Sequence, residues 1–489
     1  MKTEKTQKVA SGQKKKILLI SLASTFVVAF MGSALNPAIP VIGQEFEAEA
    51  VKAGWVVTAY MLTCTALPVP FGRLADLIDR KRILVTGLGL FAAASTGGAA
   101  AGCLGQLLFF RLVQGAGTAM IYSTSMSILV SSDGPEHRGR LLGYSTAATY
   151  LGLSAGPAIG GVLTFQLGWR WIFAVTAAGA AVAFFGALRI LPARDVQGFQ
   201  SSGKLQGTGK IFPSGFSCFL YVSWVMLFLL GVSVAPASTW GWAAAAVGLV
   251  LMVYYLCREW KERQPVLPVK MFWKRPVFGW AALASLINYG TNFVLNYLLS
   301  VYFQVGLGFS SQKAGLILVI SPAVQAVLSP FIGKVSGGRQ AGGGGSWARL
   351  VSSGRVSPGR LSAVGMLGTA VVAAGFGLLQ EGGSVWMVYV GLALAGISCA
   401  LFAAPNTTIV MGAAGKTHYS MASAVLSTMR SLGHTLSMAA ASGASAAVLG
   451  AEKLNDASPQ QILMVMKITF FLWSFLCILG FFMALLKKV

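Results

Sequence analysis

The stretch GRLADLIDRKR, residues 72–82, joins two long apolar runs and carries Arg73, Arg80, Lys81 and Arg82 around two carboxylates. Basic loops of this kind sit where a chain leaves a bilayer on its cytoplasmic side, with the cations among anionic headgroups. Gly72 allows a tight exit from the preceding helix. Asp76 can accept hydrogen bonds at the start of a neighbouring helix, where the dipole favours an anion. The stretch alone also reads as an ordinary positive-inside loop, so its meaning depends on what lies around it.

Working outward, the 489 residues are 55% hydrophobic and only 10% charged, against about 25% charged in a soluble domain. Fourteen apolar runs reach or approach the ~20 residues that cross a bilayer. They cover about 17–43, 51–71, 83–102, 107–131, 141–165, 170–191, 216–236, 241–257, 277–305, 313–333, 362–380, 385–410, 421–449 and 463–486. Backbone polar groups in lipid must be satisfied within a segment, so each run is expected to be a helix. All 14 Asp and Glu lie between the runs; Arg111, Arg430 and Lys467 lie well within them, while Arg170 and Arg189 sit at the two edges of the run 170–191, Lys52 and Lys313 at the starts of theirs, and all four count with the loops. Of 37 Lys and Arg, four (Lys52, Arg170, Lys313, Lys453) fall on one set of loops and 30 on the other. This bias places both termini in the cytoplasm. It also accounts for the net charge of +23 without nucleic acid, because the cations are spread over many loops. The basic start, residues 1–16, precedes a run longer than a cleaved signal's apolar core and reads as the approach to a retained first helix.

Two cytoplasmic segments differ in composition. Residues 192–215 are polar and Gly/Ser-rich, as in a flexible linker. Residues 337–354 contain GGGG and are low in complexity. The expected organisation is a basic N-terminus at 1–16, a six-helix half at 17–191, a linker, helix pair and connector at 192–276, and a second six-helix half at 277–489. The six cysteines show no paired or metal-ligand spacing, so no disulfide framework or metal site is expected.

Three motifs give the pattern a relationship. Residues 72–82 resemble motif A of the major facilitator superfamily, with Asp79 where that pattern has its second glycine. RLVQGAGTA, 111–119, resembles motif B at Arg111 and Gln114, and GLSAGPAIGG, 152–161, matches the antiporter motif at Gly152, Gly156, Pro157, Gly160 and Gly161. Physically, Gly152, Gly156 and Gly160 make a smooth face for close helix contact, and Pro157 removes a backbone bond and permits a kink. Ordinary small-residue packing explains the glycines as well. Fourteen runs and the connector REWKERQPVLPVKMF, 258–272, resemble the 14-helix drug:proton antiporters of that superfamily. The resemblance implies an all-α integral membrane fold of 6 + 2 + 6 helices. It also implies gating by Gly72, Asp76, Arg80 and the 152–161 motif. Residues 337–354 interrupt the second half's copy of motif A, between GKVS and RVSPGRL.

Relatives of that type carry an Asp in helix one; here Gly32 stands in its place, followed by Ser33, Asn36 and Pro37. Arg111 and Arg430 cannot act as proton carriers, because a guanidinium stays protonated. Each needs acceptors, whether backbone carbonyls, amide side chains, water or an anionic substrate, unless it snorkels toward an interface. His434 lies one turn beyond Arg430 on the same face and is the candidate proton carrier, with a packing role as the alternative. Asn288, Asn292, Asn296 and Ser300 recur every four residues beside Tyr289. This polar stripe would be costly in lipid, so it lines a cavity or bonds between helices. Asn406 is a similar candidate. Ser33, Asn36, Arg111, Gln114, Asn288, Tyr289, Asn292, Asn296, Asn406 and Arg430 are thus the candidate substrate contacts.

No nucleophile, carboxylate pair or phosphate loop appears, so an enzyme is not expected, nor is a cofactor. The resemblance implies a monomeric transporter in the cytoplasmic membrane. It would export small amphipathic molecules by alternating access with proton antiport. The rival reading is a proton-independent facilitator or organic-anion exchanger using Arg111 and Arg430.

Overall fold

The computed structural model describes residues 2–48, 50–133, 137–191, 215–234, 239–262, 265–267, 269–337, 357–381, 385–415, 418–449 and 458–485. The linker at 192–214 and all but the first residue of the 337–354 insertion lie outside the described residues. All regular structure among the described residues is helical. In chain order the helices are α1 (Lys2–Ala34), α2 (Ile39–Glu45), α3 (Ala50–Ala66), α4 (Pro68–Leu77), α5 (Arg80–Ala99), α6 (Leu104–Ser131), α7 (Arg138–Gln166), α8 (Arg170–Ile190), α9 (Gly215–Val234), α10 (Thr239–Lys261), α11 (Val269–Lys274), α12 (Pro276–Val301), α13 (Ser311–Leu318), α14 (Ile320–Gly337), α15 (Pro358–Gly377), α16 (Val385–Ala414), α17 (Tyr419–Leu449) and α18 (Pro459–Leu485).

Twelve of the helical segments among the described residues are long and apolar enough to cross a membrane, not the fourteen expected. Those that fall short among the long helices are α12, of 26 residues, and α17, of 31. The cause is chemical: α12 carries the asparagine stripe, and α17 carries Arg430, His434 and many hydroxyls. A second correction concerns acids. Asp76 and Glu259 lie inside segments counted among the twelve, because those helices run on past their apolar stretches. Glu259 is buried, with 1% of its surface exposed.

Proline sets several of the breaks. The first run is not one helix: Asn36–Ala38 forms a single 3-10 turn with Pro37 in its first positions, and α2 follows. Pro68 opens α4, where a missing N–H costs nothing. Gly72 therefore lies within α4 rather than at a helix exit. By contrast α7 runs through Pro157 as one helix.

The chain divides into two compact units. The first comprises residues 1–218, 261–268 and 414–428; the second comprises 219–260, 269–413 and 429–489. In the first unit α1 packs along α7, and α5 packs along α6 and α8. Its core is built on Met31, Leu35, Phe91, Trp169 and Phe173. The α1–α7 contact requires glycine: a Cβ on Gly156 would lie 2.0 Å from Ser33 Oγ, and one on Gly160 would lie 2.2 Å from the Ala34 carbonyl oxygen. In the second unit α15 packs along α18, which also packs on α12, around Phe303, Phe402, Phe470 and Trp473. Buried hydroxyls bond back to their own helices, as Ser24 does to Ile20 O (2.7 Å) and Thr407 to Ala403 O (2.7 Å). This satisfies them without water.

Candidate functional site

In the first unit, Arg111 on α6 is 1% exposed. Its Nε donates to Val56 O on α3 (2.8 Å) and its Nη1 to Gln114 Oε1 (2.6 Å). Gln114 Nε2 donates to Ser95 Oγ on α5 (2.7 Å), and Ser95 donates to Phe91 O (2.7 Å). The guanidinium lies 4.2 Å from the Tyr60 ring centre, and the Tyr60 hydroxyl meets Thr118 Oγ1 at 3.0 Å. The charge is thus held by a carbonyl, an amide and an aromatic face, and the chain of donors ends at backbone. Arg111 does not reach toward an interface. Tyr60, Ser95 and Val56 were not foreseen as its partners.

At one end of this unit, Asp76 collects four hydrogen bonds. Oδ1 accepts from Arg80 Nη2 (3.0 Å), Arg80 Nε (3.3 Å) and Ser420 N (3.1 Å), and Oδ2 accepts from Met421 N (3.0 Å). Ser420 and Met421 stand in the first turn of α17, whose unpaired amides favour an anion. The expectation for Asp76 thus acquires a named partner. Gly72 permits the approach: a Cβ there would lie 2.6 Å from Ala424 Cβ. Arg80 also donates to Ser131 Oγ (2.8 Å), and Arg138 donates to the Tyr419 hydroxyl. Asp79, the departure from motif A, caps α5 by accepting from Lys81 N (2.9 Å).

Ser33 Oγ donates to Leu153 O on α7 (3.1 Å) and is spent on the α1–α7 contact. Asn36 lies exposed on its 3-10 turn. Gly152, Gly156 and Gly160 all face α1, whereas nothing lies within 4 Å of a Cβ built on Gly161. At the opposite end from Asp76, Glu45 accepts from Trp169 Nε1 (2.6 Å) and Arg170 Nη1 (2.6 Å). The Trp169 bond, then Arg170, holds the Glu45 carboxyl below its ordinary range against partial burial.

In the second unit the asparagine stripe divides. Asn288 is fully buried. Its Nδ2 donates to Thr369 Oγ1 (3.2 Å) and Met366 Sδ (3.5 Å) on α15, and its Oδ1 accepts from Cys399 Sγ on α16 (3.5 Å). Asn406 is likewise buried and donates to Ser285 Oγ (2.7 Å) and Ala281 O (3.0 Å) on α12. These two amides are interhelical ties. Asn292 and Asn296 are half-buried, and their Nδ2 atoms donate to Asn288 O (2.9 Å) and Asn292 O (2.7 Å), back along α12. On α17, the half-buried Arg430 guanidinium lies 4.9 Å from the Tyr289 ring centre. The half-buried His434 ring stacks on Phe293 at 4.6 Å and 20°. The two helices meet closely at Gly433, where a Cβ would lie 2.3 Å from Leu286 O. The result is a partly accessible surface, cationic and aromatic, flanked by two amides. No cluster able to hold a metal ion occurs among the described residues.

Residues 21–438 match the family model of the Major Facilitator Superfamily. The chain belongs to that superfamily. A riboflavin transporter, RibZ of Clostridioides difficile, is 24% identical over 430 residues, covering 87% of each chain. A methylenomycin A resistance protein of Bacillus subtilis is 29% identical over 429 residues, covering 86% of each. Among solved structures, the proton:xylose symporter XylE aligns with a TM-score of 0.68 at 13% identity, over 98% of this chain and 96% of that one. At that identity the likeness bears on the fold. Members of the family are transporters, not enzymes, and this chain is a multi-pass membrane protein of that transporter superfamily.

Proposed function

We propose that the protein exports small amphipathic molecules across the cytoplasmic membrane by alternating access, coupled to proton antiport. The observation that carries this reading is the half-buried surface of α12 and α17: Asn292, Phe293, Asn296, Arg430 and His434 keep polar and aromatic atoms accessible within long helices. Polar groups kept at that depth are costly unless they meet a substrate or water. The resistance protein among the relatives supports a drug-like substrate. His434 is the proposed proton carrier. Gly72, Asp76 and Arg80, together with Gly152, Gly156, Pro157, Gly160 and Gly161, are the proposed gating elements.

In this reading α12 and α17 also cross the bilayer. At 1.5 Å per residue they span ~39 and ~46 Å, more than the ~30 Å hydrocarbon core. This returns the 6 + 2 + 6 arrangement of the 14-helix drug:proton antiporters, with both termini cytoplasmic and a monomer as the working unit. A second reading, organic-anion exchange without protons, is supported by Arg430 as a half-buried cation against Tyr289. Arg111 is spent on its cage and plays no part in it.

Efflux from inverted vesicles, with and without a pH gradient, tests both. Proton coupling predicts export of cationic or neutral dyes that stops with a protonophore and is lost in His434→Gln. Anion exchange predicts gradient-insensitive movement of anionic probes only, retained in His434→Gln and lost in Arg430→Ala.

A further inference from the structure

The pair α9–α10 and the connector after it lie outside the surfaces discussed so far, and α10 is the least buried of the twelve candidate spans. Its buried stripe, Gly241, Ala245, Gly248, Tyr255 and Glu259, forms a single seam. Much of the remaining surface is exposed and apolar, including Val247, Leu249, Val250 and Val253, with tryptophans at both ends: Trp240 and Trp242 near the start, Trp260 near the finish. Twenty residues of α-helix separate Trp240 from Trp260, a rise of ~30 Å, which matches the hydrocarbon thickness. Tryptophan collects at both edges of a membrane, so Trp260 marks headgroup depth.

At that depth Trp260 meets Trp273 of α11 edge to face, with ring centres 6.1 Å apart at 86°. The short helix α11 has no buried residue. Lys270, Trp273 and Lys274 stand exposed, with the two lysines one turn apart on one face. The other side of α11 holds it in place: Phe272 packs on Phe278 at 4.9 Å, and Arg275 N donates to Met271 O (2.9 Å). Arg275 donates through Nη1 to Ala413 O at the end of α16. None of the ion pairs among the described residues involves Lys270 or Lys274, and the two cations stand beside an interfacial indole.

We propose that α11 is a docking site for anionic phospholipid, with Lys270 and Lys274 holding the headgroup phosphate and Trp260 and Trp273 covering the upper acyl chain. Charge complementarity and the depth set by the tryptophans select this occupant. A soluble phosphate would gain nothing from the indoles, and a zwitterionic lipid would gain little from the lysines.

The test uses the full-length protein in phosphatidylcholine nanodiscs doped with brominated phosphatidylglycerol or brominated phosphatidylcholine. Trp273 quenching is taken as the difference between wild type and Trp273→Phe. Brominated phosphatidylglycerol should quench at a several-fold lower mole fraction, and the preference should fall as salt rises. Each charge removed should lower it about fivefold, so Lys270→Gln with Lys274→Gln should abolish most of it, while Lys270→Arg with Lys274→Arg retains it. Equal quenching by the two lipids in wild type at low salt overturns the proposal. So does an undiminished preference in the glutamine variant, or displacement of the lipid by millimolar inorganic phosphate. Should the glutamine variant fail to fold, the wild-type comparison and its salt dependence decide alone.

Discussion

Arg111 and Arg430 are both arginines within long helices, yet the protein treats them in opposite ways. Arg111 is sealed: Val56 O, Gln114 and the Tyr60 face consume it, and Gln114 is in turn tied to Ser95. Arg430 lies half-buried against Tyr289, one turn from a histidine stacked on Phe293. A sealed cation contributes to the fold, whereas an accessible one can respond to a ligand. The contrast therefore separates a sealed cation from a partly accessible one without reference to any relative.

The largest expected effect is on Arg111. Arg111→Ala strands a carbonyl and an amide and removes a desolvated cation–π contact, a loss of roughly 3 to 5 kcal/mol. It should lower the melting temperature sharply in detergent. Arg111→Lys should recover little of it, since an ammonium lacks the fork that reaches Val56 O and Gln114 together. If Arg111→Ala melts like wild type and loses transport instead, the contrast collapses. Arg430→Ala is its mirror. Losing a charged hydrogen bond to substrate costs about 1.5 to 3 kcal/mol, or about 10- to 100-fold in apparent affinity, with melting close to wild type. A variant that unfolds while its residual transport keeps its affinity would make Arg430 a second structural cation.

The asparagine stripe sharpens the same division within one helix. Asn288→Ala removes the amide that ties α12 to Thr369 and Cys399 and leaves a cavity in a fully buried site, and should cost about 1 to 3 kcal/mol of stability. Asn296→Ala removes a half-buried amide whose Nδ2 bonds back to its own helix at Asn292 O and should stay within about 0.5 kcal/mol, with substrate selectivity altered. Thermal melts of the two side by side check this.

The sequence carried the apolar runs, the glycine spacing at 152, 156 and 160, and the pairing of Asp76 with a helix start. Each shows in the local sequence: a continuous apolar length, a four-residue spacing, and a carboxylate set in a basic loop. It could not rank Asn288 above Asn296, because a four-residue repeat puts both on one stripe. Their difference is set by Thr369 and Cys399, which arrive from other helices. Nor could it name Ser420 and Met421, more than 340 residues from Asp76. Asp79 looked like a flaw in a motif when compared with a pattern; its extended backbone and its bond to Lys81 N make it a helix cap. The polar residues that single out α12 and α17 are also what dilutes their apolar character, which is why these two long helices fall short of the other twelve segments.

A third arginine sets the lower limit of the comparison. Arg170 is 40% exposed, and so is its partner Glu45. Exposed ion pairs contribute at most about 1 kcal/mol, so Glu45→Gln should shift melting far less than Arg111→Ala does. Its signature is instead a pH dependence. The Glu45 carboxyl is held below its ordinary 4.5 by Trp169 first and then Arg170. The stabilisation is therefore present above that ordinary value and lost as pH falls through the lower, folded one. Wild type should lose a small increment of melting temperature on acidification below about pH 4.5 that Glu45→Gln does not lose. Parallel acid profiles for the two proteins would mean that the Trp169 and Arg170 bonds contribute nothing to the fold. Arginine would then matter here only where it is buried.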